Sequence, residues 1–184
     1  MQRETALELL KKYVKNENLV KHCLASEAVM RALAVRLGAN MEMWILAGLL
    51  HDIDAELTAG DIKRHTLEAE RILRENGLPP DLIEAVKMHN EAAHGKSRTE
   101  AFHKALAAGE TITGLITATA LVYPDKKLSS VKVSSVVKRM KDKRFAASVD
   151  RSVILECEQI GIPLEEFASL ALDAMRGVAP ELGL

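Results

Sequence analysis

Apolar residues at Ala6, Leu7, Leu9, Leu10 and Val14 recur with helical rather than alternating spacing, so residues 3–14 read as an amphipathic helix. A longer helix is expected over 19–37, with Leu24, Ala28, Leu33, Ala34 and Leu37 on its buried face and Gly38 as terminator. The run MEMWILAGLLH, 41–51, is apolar nearly all round, as a helix in the middle of a protein is, and it finishes on His51-Asp52. Asp61 is placed to cap a helix reaching Asn76, stopped by Gly77, and Pro79-Pro80 opens another that carries Ile83, Val86 and His89. The polar stretch 90–98 reads as a loop. Residues 99–122 read as helix with a break point at Gly109, although their Thr and Ile content leaves a strand open on propensity. Pro124 stops that segment. A helix near 129–141 follows, and 145–160 and 163–177 close the chain as two helices separated by Gly161-Ile162-Pro163.

Composition narrows this to one fold class. The 184 residues suit one domain, Ala and Leu supply 25 residues each, and aromatics make up only 3%, a bias toward helix formers. The expectation is an all-α, compact single-domain bundle over 1–184, with its chemistry in 19–120 and a helical part from 121 to 184. A chain that is 48% hydrophobic and 28% charged, with net charge −1, is neither disordered nor a strongly cationic nucleic-acid binder. No apolar run approaches the roughly 18 residues of a membrane span, and MQRETALELLKKY carries charge where a signal peptide is apolar. A cytoplasmic protein with no membrane partner is therefore expected. Cys23 and Cys157 are too few for a disulfide framework and read as core thiols.

The small net charge hides a division. Residues 126–144 carry +7 and the other 165 residues carry −8. Such a run is ordinarily a solvated face. Here Lys138 and Lys141, spaced i,i+3, are the substrate-binding candidates for an anionic ligand, with Lys127 and Arg151 behind them.

The chemistry-bearing residues are set at helix ends. A lone His51-Asp52 pair after an apolar helix is ordinarily a packing feature. Four histidines, His22, His51, His65 and His89, fall at the ends or first turns of four predicted helices, and together with a buried Asp they exceed what packing requires. A bundle can bring such positions to one interior point, as helical metal sites do. Glu27 lies about 140° round the helix from His22 and is left out, and His94 and His103 are read as solvated. Imidazole and carboxylate donors suit Fe, Mn, Zn, Co or Ni, with Fe or Mn favoured and Mg also allowed. No P-loop, GxGxxG, GxSxG or zinc-finger spacing occurs.

In KHCLASEAVMRALA (21–34), AGLLHDID (47–54), HTLEAERIL around His65, IEAVKMHNE around His89 and AAGETITGLITA (107–118), the chain resembles the HD superfamily of metal-dependent phosphohydrolases. The resemblance covers about residues 19–120. It implies that His22, His51, Asp52 and a final acid hold one metal. In the two-metal branch His65 and His89 hold a second, with Asp52 as the bridge. The final acid is usually Asp; Glu110 stands at the matching position, one methylene longer, and either reaches the metal or holds a water on it. His89-Asn90 replaces the paired histidines of some relatives.

The implied activity is hydrolysis of a small phosphate mono- or diester, a nucleotide or another phosphorylated metabolite, by metal-activated water. Asp52 and Asp54 are the catalytic candidates, Asp54 either accepting a proton from that water or orienting a histidine. Two alternatives remain open: an HD-type diiron oxygenase, and a nucleotide-sensing module without turnover. A nucleic-acid polymer is not an expected partner, since the aromatics are too few to stack bases.

Overall fold

The computed structural model describes residues 1–184, which form helices, turns and no strand. Helix α1 (Arg3–Tyr13) leads into the long α2 (Glu17–Leu37). The side chain of Asn16 accepts the first free N–H groups of α2, from Asn18 and Leu19, and the helix ends at Gly38. Asn40 caps α3 (Met41–Leu50) in the same way through the Met43 N–H. Seven consecutive residues of α3, Trp44 to Leu50, are buried, which the all-apolar run predicts. A Cβ on Gly48 would stand 2.7 Å from the Ser26 carbonyl oxygen, so the two helix backbones touch only because this residue is glycine. That contact fixes His22 and His51 relative to one another.

The predicted helix from Asp61 starts late. After the single turn α4 (Ala55–Thr58), residues 59–66 fold as tight turns and α5 runs Leu67–Glu75. Asp61 caps nothing beyond its own turn, where its carboxylate accepts the Lys63 N–H. The cap of α5 comes from a distance: one oxygen of Asp54 accepts the N–H groups of Thr66 and Ala69, at 2.8 and 2.9 Å. His65 therefore sits in the turn before a helix, not on it.

Helix α6 (Pro80–Met88) begins at the proline pair and ends at His89. The expected loop at 90–98 contains one helical turn, α7 (Glu91–His94). Helix α8 (Ala101–Leu121) passes through Gly109 without a break, and the strand alternative for this segment is excluded. Gly109 serves packing instead, since a Cβ there would lie 3.3 Å from Leu33 and Met30 of α2.

Beyond Pro124 come a 3₁₀ turn (Leu128–Ser130), α9 (Val133–Met140), the short α10 (Arg151–Ile154) and α11 (Glu156–Gln159), α12 (Leu164–Gly177) and α13 (Ala179–Leu182). The predicted helix over 145–160 is thus only two short pieces, α10 and α11. The Arg151 guanidinium donates to the carbonyls of Ala146 and Val149, each at 2.6 Å, and so pins residues 145–149 in turns. The Arg151 guanidinium, a weaker candidate for an anionic ligand, is thus engaged with backbone carbonyls. A cluster of 43 buried residues, from Ala6 of α1 to Leu182 of α13, forms the core. Arg98 ties its parts together, donating to both oxygens of Glu156 on α11 and to the carbonyls of Met88 and His89.

Candidate metal centre

Four imidazoles from four separate segments converge around Asp52. His22 comes from the second turn of α2, His51 closes α3, His65 sits in the turn before α5, and His89 closes α6. Their Nε2 atoms pair off, His22 with His51 at 3.1 Å and His65 with His89 at 3.0 Å. Asp52 divides its carboxylate between the pairs. Oδ2 lies 3.6 and 3.5 Å from His22 and His51, and Oδ1 lies 3.2 and 3.6 Å from His65 and His89. The donor atoms within each trio, His22-His51-Asp52 and Asp52-His65-His89, all lie within 4.8 Å of one another.

The other ring nitrogens define the tautomers. Nδ1–H of His51 donates to the Gly48 carbonyl at 2.9 Å, that of His89 to the Val86 carbonyl at 2.6 Å, and that of His65 to Asp54 at 2.8 Å. His22 Nδ1 is 2.9 Å from the Thr113 hydroxyl, whose own proton goes to the Glu110 carbonyl, so His22 donates there as well. With Nδ1 engaged in this way, it is the Nε2 atom of each of the four rings that faces inward and would supply a lone pair to a metal once deprotonated. Two such lone pairs 3 Å apart repel unless a proton or a cation lies between them. Each pair, with the Asp52 oxygen beside it, is a close set of imidazole and carboxylate donors that one divalent ion could take. The residues present thus fit two divalent metals sharing Asp52.

Electrostatics separates the two trios. Burial is the largest influence on His51 and pushes its pKa down to about 3, leaving a neutral ring. Burial also acts against a charged His65, but the hydrogen bonds to Asp52 and Asp54 outweigh it and push this ring up to about 10. For Asp52 burial favours the acid form, yet the surrounding imidazoles hold the carboxyl well below its usual range.

Asp54, expected as a catalytic residue, is fully buried, and its carboxylate takes up the His65 Nδ1–H and the two N–H groups of α5. It has no face toward the open side of the cluster. Of the two expectations for it, these contacts match the second, a carboxylate that holds a histidine ring in place.

Glu110 Oε2 stands 3.6 Å from His22 Nε2, yet Glu110 belongs to neither close trio. Its other oxygen accepts the Thr111 hydroxyl at 2.5 Å, and burial raises its pKa. Glu27 is indeed elsewhere, buried against Arg3 and Arg31.

His94 and His103 are corrections, being half-buried where they were expected to be solvated. His94 pairs with the Thr66 hydroxyl at 2.8 Å, and the Nδ1 of His103 is buried without a partner.

Three cavities border the centre. One of about 310 Å³ lies between His22, His89 and Glu110 on one side and Ser148 to Asp150 on the other. A second, of about 270 Å³, meets Asp52 and His65. The largest, about 440 Å³, runs along α2 and α8 beside His22. Lys138 and Lys141 are exposed on and just after α9 and line none of these three, so the structure does not bring them to the centre. The lysine that lines a bordering cavity is Lys21, next to His22. Nothing in the sequence marked Lys21 except that adjacency, and Thr113 was missed because a threonine inside an apolar helix carries no chemical signature.

No helix is long and apolar enough to cross a membrane. No solved structure matches the chain. The model of the HD domain family matches residues 19–140, two thirds of the chain and every histidine and carboxylate of the centre, and the chain belongs to that family.

Proposed function

We propose that this protein is a metal-dependent phosphohydrolase that cleaves a small phosphate mono- or diester, in the class of nucleotides and phosphorylated metabolites, with metal-activated water. The observation that carries this reading is the division of the Asp52 carboxylate between two pairs of inward-facing imidazoles. His22, His51 and Asp52 would hold one ion, and Asp52, His65 and His89 the other, with Fe or Mn favoured by the mixed donor set. When bound, two such ions supply Lewis acidity to a phosphoryl group and lower the pKa of water.

The chain's own residues do the rest. Asp54 and the Gly48, Val86 and Thr113 acceptors lock the rings, so no reorganisation is needed when substrate arrives. Glu110, its pKa raised by burial and its carboxylate at the mouth between His22 and His89, is suited to hold a proton there.

The test is elemental analysis of protein purified without added metal, followed by assay of the metal-loaded protein on a panel of phosphate esters, with oxygen uptake monitored. Two ions per chain and release of phosphate support the reading. Oxygen uptake with no phosphate release would replace it with the oxygenase alternative, and tight nucleotide binding without product would replace it with a sensor.

A further inference from the structure

The cavity along α2 and α8 has a construction the sequence does not advertise. Its wall on α2 is Asn18, Lys21, His22 and Ala25, and its wall on α8 is Gly114, Thr117, Ala118 and Leu121. Both sets are spaced i, i+3, i+4, i+7, so each is a single stripe along its helix, and the stripes face each other. The helices run antiparallel. They touch tightly at Gly109 against Met30 and Leu33, and they stand apart by a cavity of about 440 Å³ where the facing residues are Ala25, Gly114 and Ala118. Leu182 to Leu184 close the far side.

The groove also communicates with the centre. His22 and Gly114 line both this groove and the cavity that contains His89 and Glu110. A Cβ on Gly114 would meet only Val149, at 3.4 Å, so packing does not demand a glycine here, and its missing side chain leaves the passage between the two cavities clear. Lys21 is the one Lys, Arg, Asp or Glu among the lining residues, and it takes part in none of the protein's ion pairs. Lys21, the Asn18 amide and the Thr117 hydroxyl can donate to oxygen acceptors, Ala25, Ala118, Leu121, Leu182 and Leu184 give apolar surface between them, and no acidic side chain is present to receive an amine.

We propose that this groove holds the organic part of the substrate, an oxygen-bearing, uncharged body of about nucleoside size, entering past Gly114 while its phosphate faces the histidine centre. The volume is in the range of small-molecule sites and exceeds what a phosphate alone requires. This rests on the phosphohydrolase reading above, and it assigns Lys21, not Lys138 or Lys141, as the substrate-binding lysine.

The experiment is calorimetric binding to the manganese-loaded protein of two probes, inorganic phosphate and uridine 5′-monophosphate. In the unaltered protein the nucleotide should bind at least about tenfold tighter than phosphate, the scale expected for filling an apolar groove. Gly114→Leu should abolish that preference while leaving the affinity for phosphate and the manganese content unchanged. Lys21→Met should weaken nucleotide binding alone. Equal affinities in the unaltered protein, or a preference that survives Gly114→Leu, would overturn the groove assignment. Failure of inorganic phosphate to bind the manganese-loaded protein would instead count against the phosphohydrolase reading, while a nucleotide that still bound and responded to Gly114→Leu would leave the groove assignment standing.

Discussion

The two halves of the histidine centre are built from the same donors but on different foundations. His22 stands within the long α2 and His51 at the end of α3, and these helices meet through Gly48, so their 3.1 Å spacing is set by backbone packing. His65 and His89 stand on a turn and on a helix end, and their 3.0 Å spacing depends on Asp54, a buried carboxylate that grips both His65 and the start of α5. The first half is positioned by a close contact between two helix backbones, the second by the hydrogen bonds of a buried carboxylate. Their charge states differ accordingly: burial with little compensation keeps His51 neutral, whereas two carboxylates keep His65 protonated in the metal-free chain.

Asp52 is the single residue common to both halves, so Asp52→Ala should remove both ions and lower activity by more than the roughly 100-fold typical of a lost supporting group. Elemental analysis reads the ions directly, and retention of one would show that the halves are independent. His65→Ala should leave one ion per chain, held by His22, His51 and Asp52. A chain that loses both, or keeps two, would break the comparison.

Asp54→Asn separates the halves more finely. The amide cannot accept all of the three N–H groups that the carboxylate takes, so the unfolding free energy should fall by about 3 kcal/mol, the cost of disrupting a buried charge and its partners. Metal affinity should drop 10–100-fold at the His65-His89 half while the other half is unaffected. Denaturant unfolding and metal titration of the variant give the two numbers.

The pH dependence should follow the same divide. An ion at the His65 half displaces a proton, so its affinity should rise about tenfold per pH unit until pH about 10, while His51, already neutral above about 3, contributes no such slope. In the metal-free chain the sign for stability is the reverse. His65 gains a proton on folding, so its contribution is full below the unfolded pKa of about 6.5 and is lost as pH rises through about 10. Proton release measured in two buffers of different ionisation enthalpy tests the first statement, and urea unfolding across pH 6–10 tests the second.

The smallest expected effect is that of Lys138→Ala and Lys141→Ala, exposed residues that line none of the three cavities bordering the centre. They should change stability by no more than about 0.5 kcal/mol and leave ligand affinity unchanged.

The difference between the halves is also a difference in legibility. Helices α2 and α3, with their Asn caps and the glycine after α2, follow from local pattern, so His22 and His51 could be placed at helix positions from sequence. The turn at 59–66 could not, because its geometry is decided by Asp54, a residue eleven positions before His65 whose hydrogen bonds cross between segments. Asp61 reads as the cap of that helix for the same reason, since the carboxylate that does cap it is Asp54. The 145–160 segment misled in parallel, since the carbonyls that a helix would have used internally are taken by the Arg151 side chain.

By itself the sequence determined the class of the protein: helical periodicity, Ala and Leu content and the ordered series of His and Asp residues gave an all-α fold and a set of donors. These are properties of spacing along the chain, which needs no partner segment to be read. Tertiary structure alone decided which way each side chain faced. It turned the four Nε2 atoms onto the two oxygens of Asp52, buried Asp54 as a support, and carried Lys138 and Lys141 out to solvent while leaving Lys21 on the groove. A charge run is visible in one dimension, but whether it faces a site depends on how helices far apart in sequence cross, and contacts such as those at Gly48 and Gly109 set that crossing in three.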